Sequence, residues 1–145
     1  MKETILIVDE DVNARIIAET LLLSRGLPVR SALDGTEACD ILSHPGASVV
    51  VLVVDLDLAV CGMSGWELLR RIQARFGGLP LAARPRILVL SSRPDPEVER
   101  FARQLGADAF LPKPVPPRQF VETVEQLDAL AQARTLRQCA GRAAR

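Results

Sequence analysis

Seven residues, VVVLVVD at 49–55, constrain the fold more than any other part of the sequence. Six aliphatic side chains follow one another without a polar residue, so a strand formed here must be buried on both faces. Strands of this kind belong to parallel sheets that carry helices on either side. The run ends on Asp55, and Asp57 follows two residues later, so carboxylates terminate the most apolar segment of the chain.

Short apolar segments alternate with segments of helical periodicity along the rest of the chain, which predicts one α/β domain with a doubly wound parallel sheet. Acidic residues that precede helical segments are the expected N-caps, and they are Asp11, Asp34 and Asp95. The predicted strands cover 4–9, 28–33, 49–55, 86–91 and 108–113. The predicted helices cover 12–26, 34–46, 64–78, 95–106 and 116–134.

Composition narrows the class of protein further. The chain has 145 residues, 48% of them hydrophobic, which fits one folded domain rather than a disordered segment. The formal net charge is +0, so bulk charge gives no attraction to nucleic acid or to an anionic membrane. Three cysteines without a C-x-x-C pair favour a reducing compartment. We therefore expect a cytoplasmic domain without direct contact to nucleic acid or membrane.

Polar residues stand at the carboxyl ends of four predicted strands, and these ends meet at one edge of a parallel sheet. They are Asp9 and Glu10, Asp55, Ser91, and Lys113. Carboxylates crowded together destabilise one another unless a cation lies between them. Mg²⁺ prefers oxygen ligands, and a hydroxyl with an ammonium group suits phosphoryl oxygens. The residues alone thus predict a Mg²⁺-assisted phosphoryl site with an aspartate as the nucleophile.

Four sequence blocks resemble the receiver domain of two-component response regulators, over residues 4 to about 130. They read ILIVDEDVNAR, VVVLVVDLDLAVCGMSGWELLRRI, RILVLSS and GADAFLPKPVPP. The resemblance implies a flavodoxin-like (βα)5 fold with strand order 2-1-3-4-5, as in single-domain chemotaxis regulators. It also implies transfer of a phosphoryl group, with Mg²⁺, from the phosphohistidine of a sensor histidine kinase or phosphotransfer protein. The phosphorylated receiver then changes its binding to a downstream effector.

The resemblance also assigns roles to single residues. Asp9 and Glu10 match the acidic pair that holds the metal, and Lys113 matches the lysine of the phosphoryl site. Ser91 matches the hydroxyl residue, and Phe110 matches the switch aromatic, although plain packing explains an aromatic equally well. The bond between Lys113 and Pro114, which flanks the site, is expected to be cis.

Two aspartates compete for the role of phosphoacceptor. The family spacing places a glycine eight residues after the acceptor, and counting back from Gly65 gives Asp57. Counting forward from the apolar strand gives Asp55, which would otherwise be an unpaired carboxylate in the core. A loop two residues longer is a small change in free energy, so we favour Asp55. The metal ligands are then Glu10 and Asp55, the carbonyl of Asp57, and Asp9 through water.

Other features of the site carry further expectations. Ala59, Val60 and Cys61 occupy the loop in which the family has a proline after the acceptor. Asp57 and Arg93 flank the mouth of the site, and an exposed ion pair between them would slow the approach of water. The chain is expected to catalyse only its own phosphorylation and dephosphorylation, so it is not an enzyme in the usual sense.

The alternative function is a receiver-like scaffold that binds partners without phosphorylation. A homodimer through the fourth helix, fifth strand and fifth helix is a further expectation from the resemblance. Residues 1–130 form the predicted receiver domain. Residues 131–145 are rich in arginine and contain no acid, which is typical of a basic helical extension or a disordered tail.

Overall fold

The computed structural model describes residues 3–58, 62–93 and 95–143, without the side chains of residues 82, 134–139 and 142. Five strands alternate with five helices, as the sequence predicts. The strands are β1 (Thr4–Val8), β2 (Val29–Ala32), β3 (Val49–Asp55), β4 (Arg86–Ser91) and β5 (Ala109–Pro112). The helices are α1 (Val12–Leu23), α2 (Gly35–Ser43), α3 (Gly65–Phe76), α4 (Pro96–Gln104) and α5 (Pro117–Ala143). A short 3-10 helix, Leu81–Ala83, was not predicted.

The five strands form one parallel sheet in the order β2-β1-β3-β4-β5. This confirms the predicted doubly wound, flavodoxin-like topology. The apolar strand β3 lies at the centre and pairs with β1 on one side and β4 on the other. The strand order reverses direction between β1 and β3, and open sheets bind ligands at the carboxyl ends of strands beside such a point.

Side chains of successive strand residues point to opposite faces, and each face packs against its own helices. One core contains Ile5, Ile7, Val51 and Val53 together with residues of α1 and α5, and we call this side of the sheet the α1/α5 face. The other core joins α2, α3 and α4 to the opposite side, which we call the α3/α4 face. Its strand residues include Leu6, Val8, Ala32, Leu52, Val54, Ile87 and Val89.

The predicted N-caps are confirmed, because each side chain accepts a hydrogen bond from the first turn of its helix. Asp11 accepts from Asn13 N, Asp34 from Glu37 N and Asp95 from Glu97 N. Helix ends are less well predicted from sequence. Helix α1 ends three residues early at Leu23, before Gly26 with φ 74°, whereas α5 continues nine residues beyond the predicted end to Ala143.

Helix α1 leaves several large apolar residues exposed to solvent. Only Leu22 is buried, while Val12, Ile16 and Ile17 expose 54%, 55% and 58% of their surface. Apolar residues occupy most of the circumference of α1, and the sheet can cover only one side of a helix. The remaining apolar side chains therefore form an exposed row that begins beside the carboxyl ends of β1 and β3.

An ion pair that the sequence did not reveal joins the start of β4 to the start of β5. Arg86 is buried, and its Nη1 lies 2.9 Å from Oδ1 of Asp108. The other carboxylate oxygen of Asp108 accepts a hydrogen bond from the Ile87 amide at 2.8 Å. Asp108 was predicted to lie within the fifth strand, but β5 begins one residue later, at Ala109. In the described part of the chain, no helix is both long and apolar enough to cross a membrane.

Candidate functional site

The alternation of side chains along the strands places the acidic and basic residues of the site on one face. Asp55 is the last residue of β3 and has the same parity as Val51 and Val53, so it lies on the α1/α5 face. Asp9 follows β1 directly, and Lys113 follows β5 directly. Three strand ends thus bring two carboxylates and one ammonium group to the same edge of the sheet.

Lys113 joins the two candidate acceptors. Its Nζ lies 2.7 Å from Oδ1 of Asp55 and 3.3 Å from Oδ2 of Asp57. The side chain of Asp55 is 5% exposed and that of Asp57 is 31% exposed, so the shorter contact is also the more buried one. The Asp57 amide donates to Oδ1 of Asp55 at 2.8 Å. The same Asp55 oxygen therefore receives both an ammonium group and a backbone N–H.

The charges at this edge shift the pKa values of three groups. Burial raises the pKa of Asp9, and the charge of Asp55 adds to the rise, while the Asp11 amide and Lys113 oppose it. Burial alone lowers the pKa of Lys113, but its contacts with Asp55 and Asp57 outweigh burial and raise the pKa. Burial alone raises the pKa of Asp57, but hydrogen bonds from Ser92 and Lys113 prevail and lower the pKa. Lys113 and Asp57 are therefore both charged at neutral pH.

The loop after β4 turns tightly around the hydroxyl of Ser91. This side chain is buried, donates to Arg93 O at 3.3 Å and accepts from Arg93 N at 3.0 Å. The next residue, Ser92, donates its amide N–H to Oδ2 of Asp57 at 3.0 Å. The contact with Asp57 was not predicted, because no side-chain pattern in a sequence marks a backbone donor.

The predicted ion pair between Asp57 and Arg93 is absent among the described residues. The Asp57 carboxylate instead turns toward Lys113 and the Ser92 amide. Two donors at the floor of the site hold a carboxylate better than one exposed guanidinium group, because exposed ion pairs contribute only about 0–1 kcal/mol. Arg93 is exposed and engages the site through its backbone.

Three aromatic residues, Phe110, Trp66 and Phe101, lie on the other side of the sheet. Phe110 pairs with Val89 in the sheet and packs, half-buried, against the core of the α3/α4 face. Ser91 has the same parity in β4 as Val89, so its hydroxyl lies on this face as well. The rings of Trp66 and Phe101 join α3 to α4, with centroids 5.2 Å apart.

A cleft of about 710 Å³ opens at the edge of the sheet between α1 and α5. All four predicted metal ligands line it, and the neighbouring walls include Ser92, Lys113 and Pro114. Within residues 3–58, 62–93 and 95–143, no group of three or more acidic, His or Cys side chains is arranged to hold a metal ion. Mg²⁺ needs only one or two carboxylates besides waters and a phosphoryl oxygen. The buried pair Asp9 and Asp55, whose charges influence each other, meets that requirement.

The loop from β3 to α3 leaves the site past a glycine. A Cβ atom added to Gly65 would lie 2.5 Å from the carbonyl oxygen of Asp55, so the first turn of α3 packs directly on the end of β3. Ala59, Val60 and Cys61, which replace the expected proline region, lie outside the described residues. The bond between Lys113 and Pro114 is cis, in agreement with the expectation from the resemblance.

Comparison with known proteins agrees with this geometry. Residues 5–125 match the response regulator receiver domain family. Two relatives are the transcriptional regulatory protein GltR of Pseudomonas aeruginosa and the response regulator MprA of a Mycobacterium species. The identities are 32% over 129 residues and 36% over 115 residues, which cover 89% and 79% of this chain. The chain spans half or less of these curated relatives, 50% of GltR and 45% of MprA.

A solved structure of a receiver domain also resembles this chain. The CheY-like receiver domain protein of Methanospirillum hungatei superposes with a TM-score of 0.75 at 25% identity, covering 92% of this chain and 99% of that one. The match of sequence and fold extends over the strands that carry the site. The chain therefore belongs to the family of response regulator receiver domains.

Proposed function

We propose that the chain is a phosphorylation-controlled binding switch in which Asp55 accepts the phosphoryl group. The observation that carries this proposal is the buried Asp55 carboxylate at the end of β3, 2.7 Å from the Lys113 ammonium group. An oxygen of Asp55 attacks the phosphorus of a phosphohistidine, and the P–N bond breaks with its electron pair returning to the imidazole. Lys113 then neutralises part of the charge on the transferred group.

Three features favour Asp55 over Asp57 as the acceptor. Asp55 continues the β3 strand and is held by the sheet, whereas Asp57 lies two residues farther, in the connecting loop. The Lys113 contact is shorter for Asp55, and the Asp57 amide orients the Asp55 carboxylate. A nucleophile that is held in place by neighbouring groups reacts faster than one that must first be oriented.

The residues of the cleft support Mg²⁺ as the cofactor. Asp55 and Glu10 would bind it directly, the carbonyl of Asp57 would complete the protein ligands, and Asp9 would act through water. When bound, the ion supplies positive charge to the phosphoryl oxygens and to the crowded carboxylates. Burial and the charge of Asp55 raise the pKa of Asp9, which is the condition that a bound cation relieves.

The partners follow from the same proposal. The exposed apolar row of α1 borders the cleft, which suits docking of the protein that carries the phosphohistidine, a sensor histidine kinase or a phosphotransfer protein. A downstream effector would recognise the altered α4–β5–α5 surface, with Ser91 and Phe110 as the responding residues. A homodimer through α4, β5 and α5 stays a prediction.

We further propose that the site acts on the chain's own aspartate in the cytoplasm and does not turn over a separate substrate. Incubation with acetyl phosphate and Mg²⁺ tests the central step, with intact mass spectrometry as the readout. One added phosphoryl group that depends on Mg²⁺ is expected. No adduct, together with no Mg²⁺-dependent binding of the phosphoryl mimic BeF₃⁻, would favour the phosphorylation-independent scaffold instead.

A further inference from the structure

The Asp57 carboxylate is bound to hydrogen-bond donors that an incoming phosphoryl group needs. Its Oδ2 accepts the Ser92 amide at 3.0 Å and lies 3.3 Å from the Lys113 ammonium group. The same ammonium group contacts the acceptor Asp55 at 2.7 Å. In this structure the two carboxylates therefore share one ammonium group, and the Ser92 amide of the β4 loop is bonded to Asp57 as well.

Phosphorylation of Asp55 would replace the single negative charge of its carboxylate with up to two negative charges on the phosphoryl group at this edge of the sheet. Lys113 contacts Asp55 directly, and Lys113 and the Ser92 amide both contact the same oxygen of Asp57. Both donors are thus held by Asp57, and like charges at hydrogen-bond distance repel strongly in a partly buried site. The Asp57 side chain and a phosphoryl group cannot both keep these contacts.

We propose that Asp57 is an internal anion that occupies the phosphoryl-binding donors of the unphosphorylated protein and must be displaced when Asp55 is phosphorylated. The inference rests on the proposed function, and it adds that the Asp57 carboxylate competes with the phosphoryl group for Lys113 and the Ser92 amide. Asp57 acts as a positioning residue, because it holds Lys113 and the β4 loop in place while no phosphoryl group is present. Its side chain sets how tightly the resting site binds any anion beside Asp55.

A second cleft could receive the displaced Asp57 side chain. Asp57 also lines a second cleft, of about 430 Å³, on the side of α3 and α4. Trp66 and Arg93 line the same cleft, so the carboxylate would leave Lys113 for a region that contains an exposed guanidinium group. The ion pair with Arg93 that is absent here would thus belong to the phosphorylated state.

Binding of BeF₃⁻ at saturating Mg²⁺ tests the inference, with fluorescence of Trp66 as the readout. Trp66 is the only tryptophan in the chain and lines the second cleft, so its emission reports on this region. Asp57→Asn and Asp57→Ala should each bind BeF₃⁻ more tightly than wild type, by about threefold to tenfold, because the competing charge is gone. The matched control is Glu97→Gln, which removes an exposed acid from the first turn of α4.

The amide proton of Ser92 gives a second, independent measurement by NMR. In wild type its resonance should move on addition of BeF₃⁻, as one anion replaces another, and Asp57→Ala should move it before any BeF₃⁻ is added. Equal BeF₃⁻ affinity in wild type and both Asp57 variants would overturn the inference while leaving the proposed function intact. An equal gain in Glu97→Gln would also overturn it, since general charge would then explain the effect. Failure of every variant to bind BeF₃⁻ or accept a phosphoryl group would refute the proposed function itself.

Discussion

Gly65→Ala should damage both the stability of the fold and the reactivity of the site. The added methyl group would lie 2.5 Å from the carbonyl oxygen of Asp55 and 2.9 Å from Cα of Leu56, and both are backbone atoms that cannot rotate away. Restoring ordinary contact, at 3.4 Å or more, requires α3 or the end of β3 to move by nearly 1 Å. Such overpacking destabilises by about 1–3 kcal/mol, and the better helix propensity of alanine returns up to about 1 kcal/mol.

The net loss should be about 1–2 kcal/mol, which lowers the melting temperature by roughly 2–8 °C for a domain of this size. A displacement of about 1 Å at Asp55 should slow phosphorylation by acetyl phosphate by one to two orders of magnitude. Urea unfolding and the rate of phosphoryl incorporation by intact mass measure the two effects.

Gly78→Ala is the matched control for this change. An added Cβ atom at Gly78 meets nothing within 4 Å and its φ is not positive, so stability and phosphorylation should stay close to wild type. The reasoning is refuted if Gly65→Ala and Gly78→Ala unfold at the same urea concentration and accept the phosphoryl group at the same rate.

Three further predictions concern the charged residues of the site. Asp55→Asn should abolish phosphorylation, whereas Asp57→Asn should retain it with altered kinetics, and the reverse pattern by intact mass would exclude Asp55 as acceptor. Lys113→Ala should still take the phosphoryl group but lose the amide shifts around Phe110, because the positive partner is missing; wild-type shifts on BeF₃⁻ addition would contradict this. Without Mg²⁺, the folded protein binds the Asp9 proton more tightly than the unfolded chain, so stability from this group is lost as pH rises through the folded pKa. The difference in unfolding free energy between Asp9→Asn and wild type should therefore increase as pH rises above 3.8, the ordinary pKa of Asp. Urea titrations in which this difference stays constant with pH would contradict the prediction.

The fold was predictable because its strongest signal is local. The run at 49–55 requires burial on both faces, and the alternating segments around it leave only a doubly wound sheet. The caps Asp11, Asp34 and Asp95 were also predictable, since a capping side chain bonds within its own turn. The convergence of Asp55 and Lys113 followed from topology, because both end parallel strands.

Features that depend on distant contacts were not predictable in the same way. The Asp108 carboxylate serves Arg86 and the Ile87 amide, and nothing near Asp108 in the sequence marks that partner. The direction of the Asp57 side chain depends on the Ser92 amide, 35 residues away in the chain. The exposure of Ile16 depends on which side of α1 meets the sheet, and a helix with apolar residues around most of its circumference does not encode that choice.

The division of the sheet into two faces limits how this chain can change in length. Asp55 lies on the α1/α5 face and Ser91 lies on the α3/α4 face because of the count of residues along β3 and β4. One residue inserted into β3 before Asp55 would turn its carboxylate to the opposite side of the sheet, away from Lys113. Strand lengths can therefore vary only by pairs of residues, whereas the connection between β3 and α3 can gain or lose single residues without reversing a side chain.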